Sequence, residues 1–192
     1  LAAGCDGSIQ SRTFIGITGE VPVEELTRGK TTGVATTGLL WDTFHRQKPA
    51  IPHLLPGGNE FGILCMGDAR DGRCTYLVAA EAAGSVAAEG YASYTLPCGD
   101  YVICCFEAEN FAELIGSAIF KASSFMDGWM EQHGLNGGNF AAELYAGADS
   151  DACSMELWLP LRPAQVRRKR TAACESADGT QEPSLEALGA YV

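Results

Sequence analysis

A single carboxylate interrupts an apolar segment in the second half of the sequence. Glu143 lies within residues 139–147, where aromatic and aliphatic side chains are bounded by Asn and Gly, a composition typical of a short β-strand. An ionised carboxylate is costly to remove from water unless a hydrogen-bonding or cationic partner meets it. Glu143 therefore faces either the solvent or a partner that the protein binds.

The alternation of side chains along a strand determines which residues accompany Glu143. Neighbouring side chains point to opposite faces of a sheet, so Tyr145 shares the face of Glu143. In the last strand-like segment, 154–161, Glu156 and Trp158 alternate with a set of aliphatic residues typical of a core. We predict that both acids and both aromatics point away from the helices. Acids beside aromatic rings on one face are suited to binding an organic cation.

The pattern of strands and helices occurs twice along the chain, each time in the order strand, helix, strand, strand. In the first half, these elements are predicted over 13–18, 39–45, 60–66 and 74–79. In the second half, they are predicted over 92–106, 114–133, 140–145 and 154–161. Two βαββ units side by side predict an α+β fold with a pseudo-twofold antiparallel sheet. The helices would cover one face, and a ligand cleft would lie on the other.

Charge and composition limit the classes of function. The 192 residues carry a net charge of −11, and Arg162 and the basic run 167–170 contribute part of the 13 basic residues. The preceding part of the chain is therefore strongly acidic, which disfavours nucleic acid and favours cationic partners. The sequence contains no apolar run long enough to predict a membrane-spanning helix. The eight cysteines form no C-x-x-C pair and no cluster with histidine, so no metal or cofactor is predicted, and reduced thiols indicate a cytoplasmic protein.

Several short motifs, taken together, resemble one known family. The strand-like segment around Glu143 is followed, after a turn, by an apolar strand that closes in Pro160. Further matches are Leu40, Trp41, Phe44, Tyr76, residues 96–101 and Trp129. Over about residues 12–162 the chain resembles the GyrI-like small-molecule-binding domains, which include the effector-binding domains of multidrug-sensing transcription regulators of the MerR and AraC types. It departs from the family pattern at Ala79, where a glycine is usual.

The resemblance implies a domain organisation and a site. The GyrI-like domain would comprise two repeats, about 12–90 and 91–162, flanked by flexible segments 1–11 and 163–192. The cation-recognising glutamate of the family corresponds to Glu143, in the cleft between the repeats. The aromatic residues implied as ligand-binding are Tyr145, Trp158, Tyr76, Phe61, Trp129 and Tyr94. Packing in the core is the alternative role for each of these aromatic residues.

Three functions are compatible with these features, and the leading one is a stand-alone binding protein for hydrophobic, cationic small molecules. The alternative, implied by some members of the family, is a hydrolase of electrophilic cyclopropane-type alkylating toxins, with Glu143 as the base or the water-positioning group. The acid partner would then be Tyr101, Tyr145 or Tyr94. The third is a subunit whose acidic surface binds a basic protein partner, with a homo-oligomer also open. Direct DNA binding is not expected, because no basic face precedes the C-terminal segment.

Overall fold

The computed structural model describes residues 2–27, 36–84, 87–145 and 153–162. The strands are β1 (Ala2–Ile9), β2 (Arg12–Pro22), β3 (Glu60–Arg70), β4 (Arg73–Glu81), β5 (Ala92–Leu96), β6 (Gly99–Glu107), β7 (Phe140–Tyr145) and β8 (Ser154–Pro160). The helices are α1 (Val23–Thr27), α2 (Thr36–Gln47), α3 (Phe111–Glu113) and α4 (Ile119–Gln132). A 3₁₀ turn, Lys48–Ala50, follows α2, and a π-helical turn, Leu114–Ala118, joins α3 to α4. The C-terminal segment 163–192 lies outside the described residues.

The strands form one antiparallel sheet in the order β1-β6-β8-β7-β3-β4-β2-β5. The order is symmetric about its centre, because the trio β6-β8-β7 is repeated in reverse as β3-β4-β2. Each trio belongs to one βαββ unit, whose helices connect its first strand to its second. This arrangement confirms the α+β fold built from duplicated βαββ units. It also places β3 beside β7, where the two units meet.

The N-terminal segment differs from its prediction. A flexible segment is expected over 1–11, whereas Ala2–Ile9 form strand β1, which pairs with the outer edge of β6. The paired residues run from Ala2 opposite Cys105 to Ile9 opposite Gly99, with an irregularity after Asp6. Backbone hydrogen bonds suffice for such a pairing, so the small and polar residues of this strand carry no alternating apolar signal.

The helices cover the outer strands of their own units on one face of the sheet. Helix α2 packs on β2 and β4, where Phe44 is buried beside Ile15 and Val78. Helix α4 packs on β6 and β8, where Met126 is buried beside Leu157. The central strands β3 and β7 therefore lie beneath the space between the two helices. In the described part of the chain, no helix combines the length and apolarity needed to cross a membrane.

The opposite face of the sheet is filled by its own aromatic core. Phe14, Phe61 and Trp158 are buried there, with centroids 4.3 Å apart for Phe14 and Phe61 and 5.9 Å apart for Phe61 and Trp158. Strands β5 and β6 stand near opposite ends of the strand order, yet only Pro97 and Cys98 connect them. The sheet must therefore curl until its ends approach. These packed rings fill the space on this face where the sequence predicts a ligand cleft.

Candidate functional site

Glu143 lies at the centre of the sheet, where the two units meet. Its cross-strand partners are Gly62 on β3 and Leu157 on β8. Since Leu157 packs into the core beneath α4, Glu143 and Tyr145 point to the helix-covered face. The prediction that they face away from the helices is therefore wrong. The alternation separates the two sets of side chains on β7 correctly, but it does not by itself identify the face that the helices cover.

Two tyrosines and a tryptophan surround the Glu143 carboxylate. The hydroxyl of Tyr76, on β4, donates a hydrogen bond of 2.6 Å to Oε2 of Glu143. The hydroxyl of Tyr145 donates to the same oxygen at 3.1 Å. Trp41, on α2, donates from Nε1 to the Tyr76 hydroxyl at 3.3 Å, and its ring lies 4.6 Å from that of Tyr145. We call these four residues the helix-side cleft.

The charge of Glu143 has no cationic partner among the described residues. The ion pairs in the described part of the chain involve other carboxylates. Both tyrosines bind Oε2, and no described group donates a hydrogen bond to Oε1. Because no described side-chain oxygen is both fully buried and without a hydrogen bond, Oε1 is not completely removed from solvent. One oxygen of the carboxylate is thus held in place, and the other is available.

The surroundings of the cleft favour uncharged forms of its titratable groups. Burial raises the pKa of Glu143, and the hydrogen bonds from Tyr76 and Tyr145 offset only part of that effect. Burial and the nearby Glu143 charge also raise the pKa of both tyrosines well above its usual range. The tyrosines therefore remain protonated donors, whereas the ionised form of Glu143 is held at a cost in stability. A bound cation would relieve that cost.

The raised pKa of Glu143 predicts a pH-dependent effect of the Glu143→Gln substitution on stability. Because the folded carboxyl binds its proton more tightly than the unfolded one, stability is lost as pH rises from the unfolded pKa through the folded pKa. Glutamine removes this loss, so the variant should gain stability relative to the original chain as pH increases. Urea unfolding at pH 4.5 and pH 8 measures the two differences in unfolding free energy. A difference that is equal at both pH values would contradict the prediction.

A second carboxylate, that of Glu60, lies beside the cleft and is neutralised by basic side chains. Glu60 is the cross-strand partner of Tyr145. Lys48 Nζ lies 2.5 Å from its Oε1, and His45 Nε2 lies 2.9 Å from its Oε2. Burial alone would raise the pKa of Glu60, but these two hydrogen bonds and charges outweigh it and lower the pKa. Glu60 is thus a paired acid, whereas Glu143 has no ion pair within the described ranges of the chain.

The other aromatic residues named from the sequence are separated from Glu143 by the sheet. Phe61 and Trp158 are buried in the core of the opposite face, and Tyr94 packs at its margin. The ring of Tyr94 lies 5.9 Å from that of Phe140. Glu156 is on that side as well, accepting a hydrogen bond of 2.8 Å from the indole of Trp158. These residues pack in the core or at its edge because the curled sheet encloses them.

Tyr101 and Trp129 are also placed outside the helix-side cleft. The hydroxyl of Tyr101 donates to the carbonyl of Pro97 at 2.7 Å, and burial, with a smaller effect of Cys98, raises its pKa to about 12. On the opposite face from Glu143, it does not serve as an acid partner for that carboxylate. Trp129 stacks on His133 with ring centroids 4.0 Å apart. A separate open pocket of about 580 Å³ lies at the end of α4, and none of the predicted site residues lines it.

Three residues in or beside the helix-side cleft are not among the site residues selected from the sequence. Trp41 is interpreted from the sequence mainly as a core residue, because it shares an apolar helix face with Phe44. Gly62 has no side chain to suggest a role, yet a Cβ there would lie 2.0 Å from the Tyr76 hydroxyl. Lys48 precedes a proline in what reads as a loop. The spacing of Trp41 and His45, one helical turn apart, was the available signal that this helix faces a polar site.

Comparison with known proteins supports the fold. No protein-family model and no curated protein matches the sequence. The solved structure of SAV2435 bound to tetraphenylphosphonium is similar, with a TM-score of 0.57 and 16% identity over 84% of this chain and 94% of that chain. The EcmrR C-terminal domain gives a TM-score of 0.56 at 14% identity, over 84% and 97% of the two chains. The chain has the fold of the GyrI-like effector-binding domains.

The likeness to EcmrR is confined to part of that protein. In the complex of EcmrR with DNA, the match has a TM-score of 0.57 and covers 83% of this chain but only 57% of the EcmrR chain. The C-terminal domain, in contrast, is covered almost completely. The described fold therefore corresponds to the C-terminal domain of EcmrR.

Proposed function

We propose that the protein binds hydrophobic organic cations in the helix-side cleft, with Glu143 as the counter-charge. The observation that carries this proposal is a partly buried carboxylate that has two phenol donors and no cationic partner among the described residues. The two tyrosines orient one oxygen and leave the other available. The site therefore has the charge and the geometry of a receptor for a positive ligand.

Aromatic walls supply the second part of the recognition. Trp41 and Tyr145 are half-buried and present ring surface next to the carboxylate. A desolvated cation over an aromatic face gains on the order of 1–2 kcal/mol, and burial of the ligand's apolar groups adds to this. A hydrophobic cation satisfies both requirements, whereas a small inorganic ion would use only the carboxylate.

The similar structure of SAV2435 with tetraphenylphosphonium supports this class of ligand. That ligand is a cation surrounded by apolar rings, which is the chemistry that Glu143 and its aromatic neighbours would recognise. A sensing or sequestering role in the cytoplasm, as expected from the sequence, is consistent with such binding and is part of the proposal.

The proposal is tested by a comparison of matched charged and neutral ligands. We expect tetraphenylphosphonium to bind at least about tenfold more tightly than neutral triphenylphosphine oxide, because only the cation gains from the Glu143 charge. Isothermal titration calorimetry measures both affinities, and a ligand-dependent rise in melting temperature supports them. Equal affinity for the two compounds, or no binding of either, would contradict the proposal.

The hydrolase alternative has one favourable observation. The Glu143 carboxyl, whose pKa burial raises, lies within hydrogen-bond distance of the Tyr76 hydroxyl, an arrangement suited to proton transfer. Tyr76 and Tyr145, rather than Tyr101 or Tyr94, would be the acid partners. The cation-binding function uses the same residues without requiring a reactive substrate, so it remains the leading proposal.

A further inference from the structure

Two carboxylates lie on the same face of the central strand pair. Glu60 is opposite Tyr145, and Gly62 is opposite Glu143, so the two acids are diagonal neighbours across β3 and β7. Diagonal neighbours on one face of an antiparallel pair are about 7–8 Å apart at their Cα atoms. Two such acids, if both were unpaired, would suit a ligand with two positive charges.

As far as the described residues extend, Glu60 has cationic partners and Glu143 has none. Lys48 contacts Glu60 at 2.5 Å, and the side chains are 32% and 14% exposed, respectively, so solvent screens the pair only in part. His45 occupies the other oxygen of Glu60. Glu143 has no equivalent of Lys48 in the described residues. The cleft thus combines one neutralised and one available carboxylate.

We infer that Lys48 makes the cleft selective for cations with a single positive charge. This inference rests on the proposed cation-binding function and adds a specificity residue to it. The second charge of a dication would meet the Glu60–Lys48 pair, where Lys48 already supplies the positive charge. Removing Lys48 would leave Oε1 of Glu60 available to that second charge, while His45 stays on Oε2.

The dyes ethidium and propidium are suitable probes, since they share a phenanthridinium ring but carry one and two positive charges. Fluorescence titration of the full chain, freed of nucleic acid, gives a dissociation constant for each. The informative quantity is the ratio of the ethidium constant to the propidium constant, because it cancels effects on the shared ring. Adding or removing one charge about 7 Å from the second positive charge of propidium, in a partly screened site, changes such a ratio by about tenfold.

The Lys48→Met variant, which keeps an apolar side chain of similar length, should raise that ratio about tenfold. In Glu60→Gln, where Lys48 is left unpaired, the ratio should fall below that of the original chain. The double variant Lys48→Met/Glu60→Gln should return the ratio to about its original value, and it serves as the matched control for effects of Lys48 on folding. Circular dichroism and the melting temperature verify that each variant is folded.

The outcomes separate this inference from the proposed function. If both dyes bind and binding depends on Glu143, but Lys48→Met leaves the ratio unchanged, the role of Lys48 is wrong and the cation site stands. If neither dye binds the original chain, the proposed function fails and this inference fails with it. A ratio that rises in Lys48→Met and is restored in the double variant supports both.

Discussion

Replacing Glu143 with glutamine is expected to weaken the binding of tetraphenylphosphonium by about 30- to 150-fold, or ~2–3 kcal/mol. The substitution keeps the size and a hydrogen-bond acceptor for Tyr76 and Tyr145, but it removes the charge that the cation would meet. Removing one partner of a partly buried charge pair costs roughly this amount. Isothermal titration calorimetry at pH 8, where the carboxyl is more fully ionised, measures the loss.

Two controls make the Glu143 result specific to charge. Neutral triphenylphosphine oxide should lose less than about threefold in affinity, since it gains nothing from a carboxylate. Glu156→Gln removes an acid on the other face of the sheet, where Glu156 accepts a hydrogen bond from Trp158. It should leave tetraphenylphosphonium binding within about twofold of the original value. Similar losses for the charged and neutral ligands in Glu143→Gln would show that the residue shapes the cleft and does not select charge.

The architecture of this protein was accessible from local patterns, because a repeated pattern has few compact solutions. The apolar spacing between Leu114 and Trp129 predicts a long helix, and α4 with its preceding π turn occupies that segment. Acid-bearing stretches at 67–72 and 148–151, between the last two strand-like segments of each half, predict hairpins. Strands β3–β4 and β7–β8 pair as expected, while residues 148–151 lie outside the described residues. Two βαββ units bury their apolar faces only by sharing one sheet. The observed strand order, in which the two units meet at β7 and β3, is such a shared sheet.

The composition of the site was less accessible, because it depends on strand order and on which face the helices cover. Tyr76 and Glu143 are 67 positions apart and meet only because β4 and β7 both flank β3. Phe61 and Trp158 have the same residue types as site aromatics, but the curl of the sheet buries them together. Such a curl follows from the connection between β5 and β6, which local alternation does not describe. The sequence identifies Glu143 correctly as an unusual charge, but the prediction of the sheet face to which it points is wrong.

The feature of the site that is hardest to predict from the sequence is the absence of a side chain at Gly62. A Cβ at this position would lie 2.0 Å from the Tyr76 hydroxyl and 2.8 Å from Glu143 Oε2. Tyr76 is buried, with 1% of its surface exposed, so it has no room to move aside. Glycine is normally unfavourable in a strand interior, and its presence often marks a close approach of other groups. Gly62 therefore creates the space in which Tyr76 reaches the carboxylate.

Gly62→Ala is accordingly expected to destabilise the protein by about 1–3 kcal/mol, the usual range for overpacking. It should also weaken tetraphenylphosphonium binding, because the methyl group would separate Tyr76 from Glu143. Urea unfolding measures the first effect and calorimetric titration the second. Gly128→Ala is the matched control: no atom lies within 4 Å of a Cβ there, and alanine in the interior of α4 should stabilise by up to about 1 kcal/mol.

A double-mutant cycle identifies the atom responsible for the Gly62 effect. Tyr76→Phe removes the hydroxyl that a Cβ at position 62 would meet, so the double variant Gly62→Ala/Tyr76→Phe should be more stable than Gly62→Ala alone. On its own, Tyr76→Phe should lose the hydrogen bond to Glu143 and some stability with it. A combined loss smaller than the sum of the single losses is expected for positions in contact. If the two losses simply added, the expected overlap between a Cβ at position 62 and the Tyr76 hydroxyl would be contradicted.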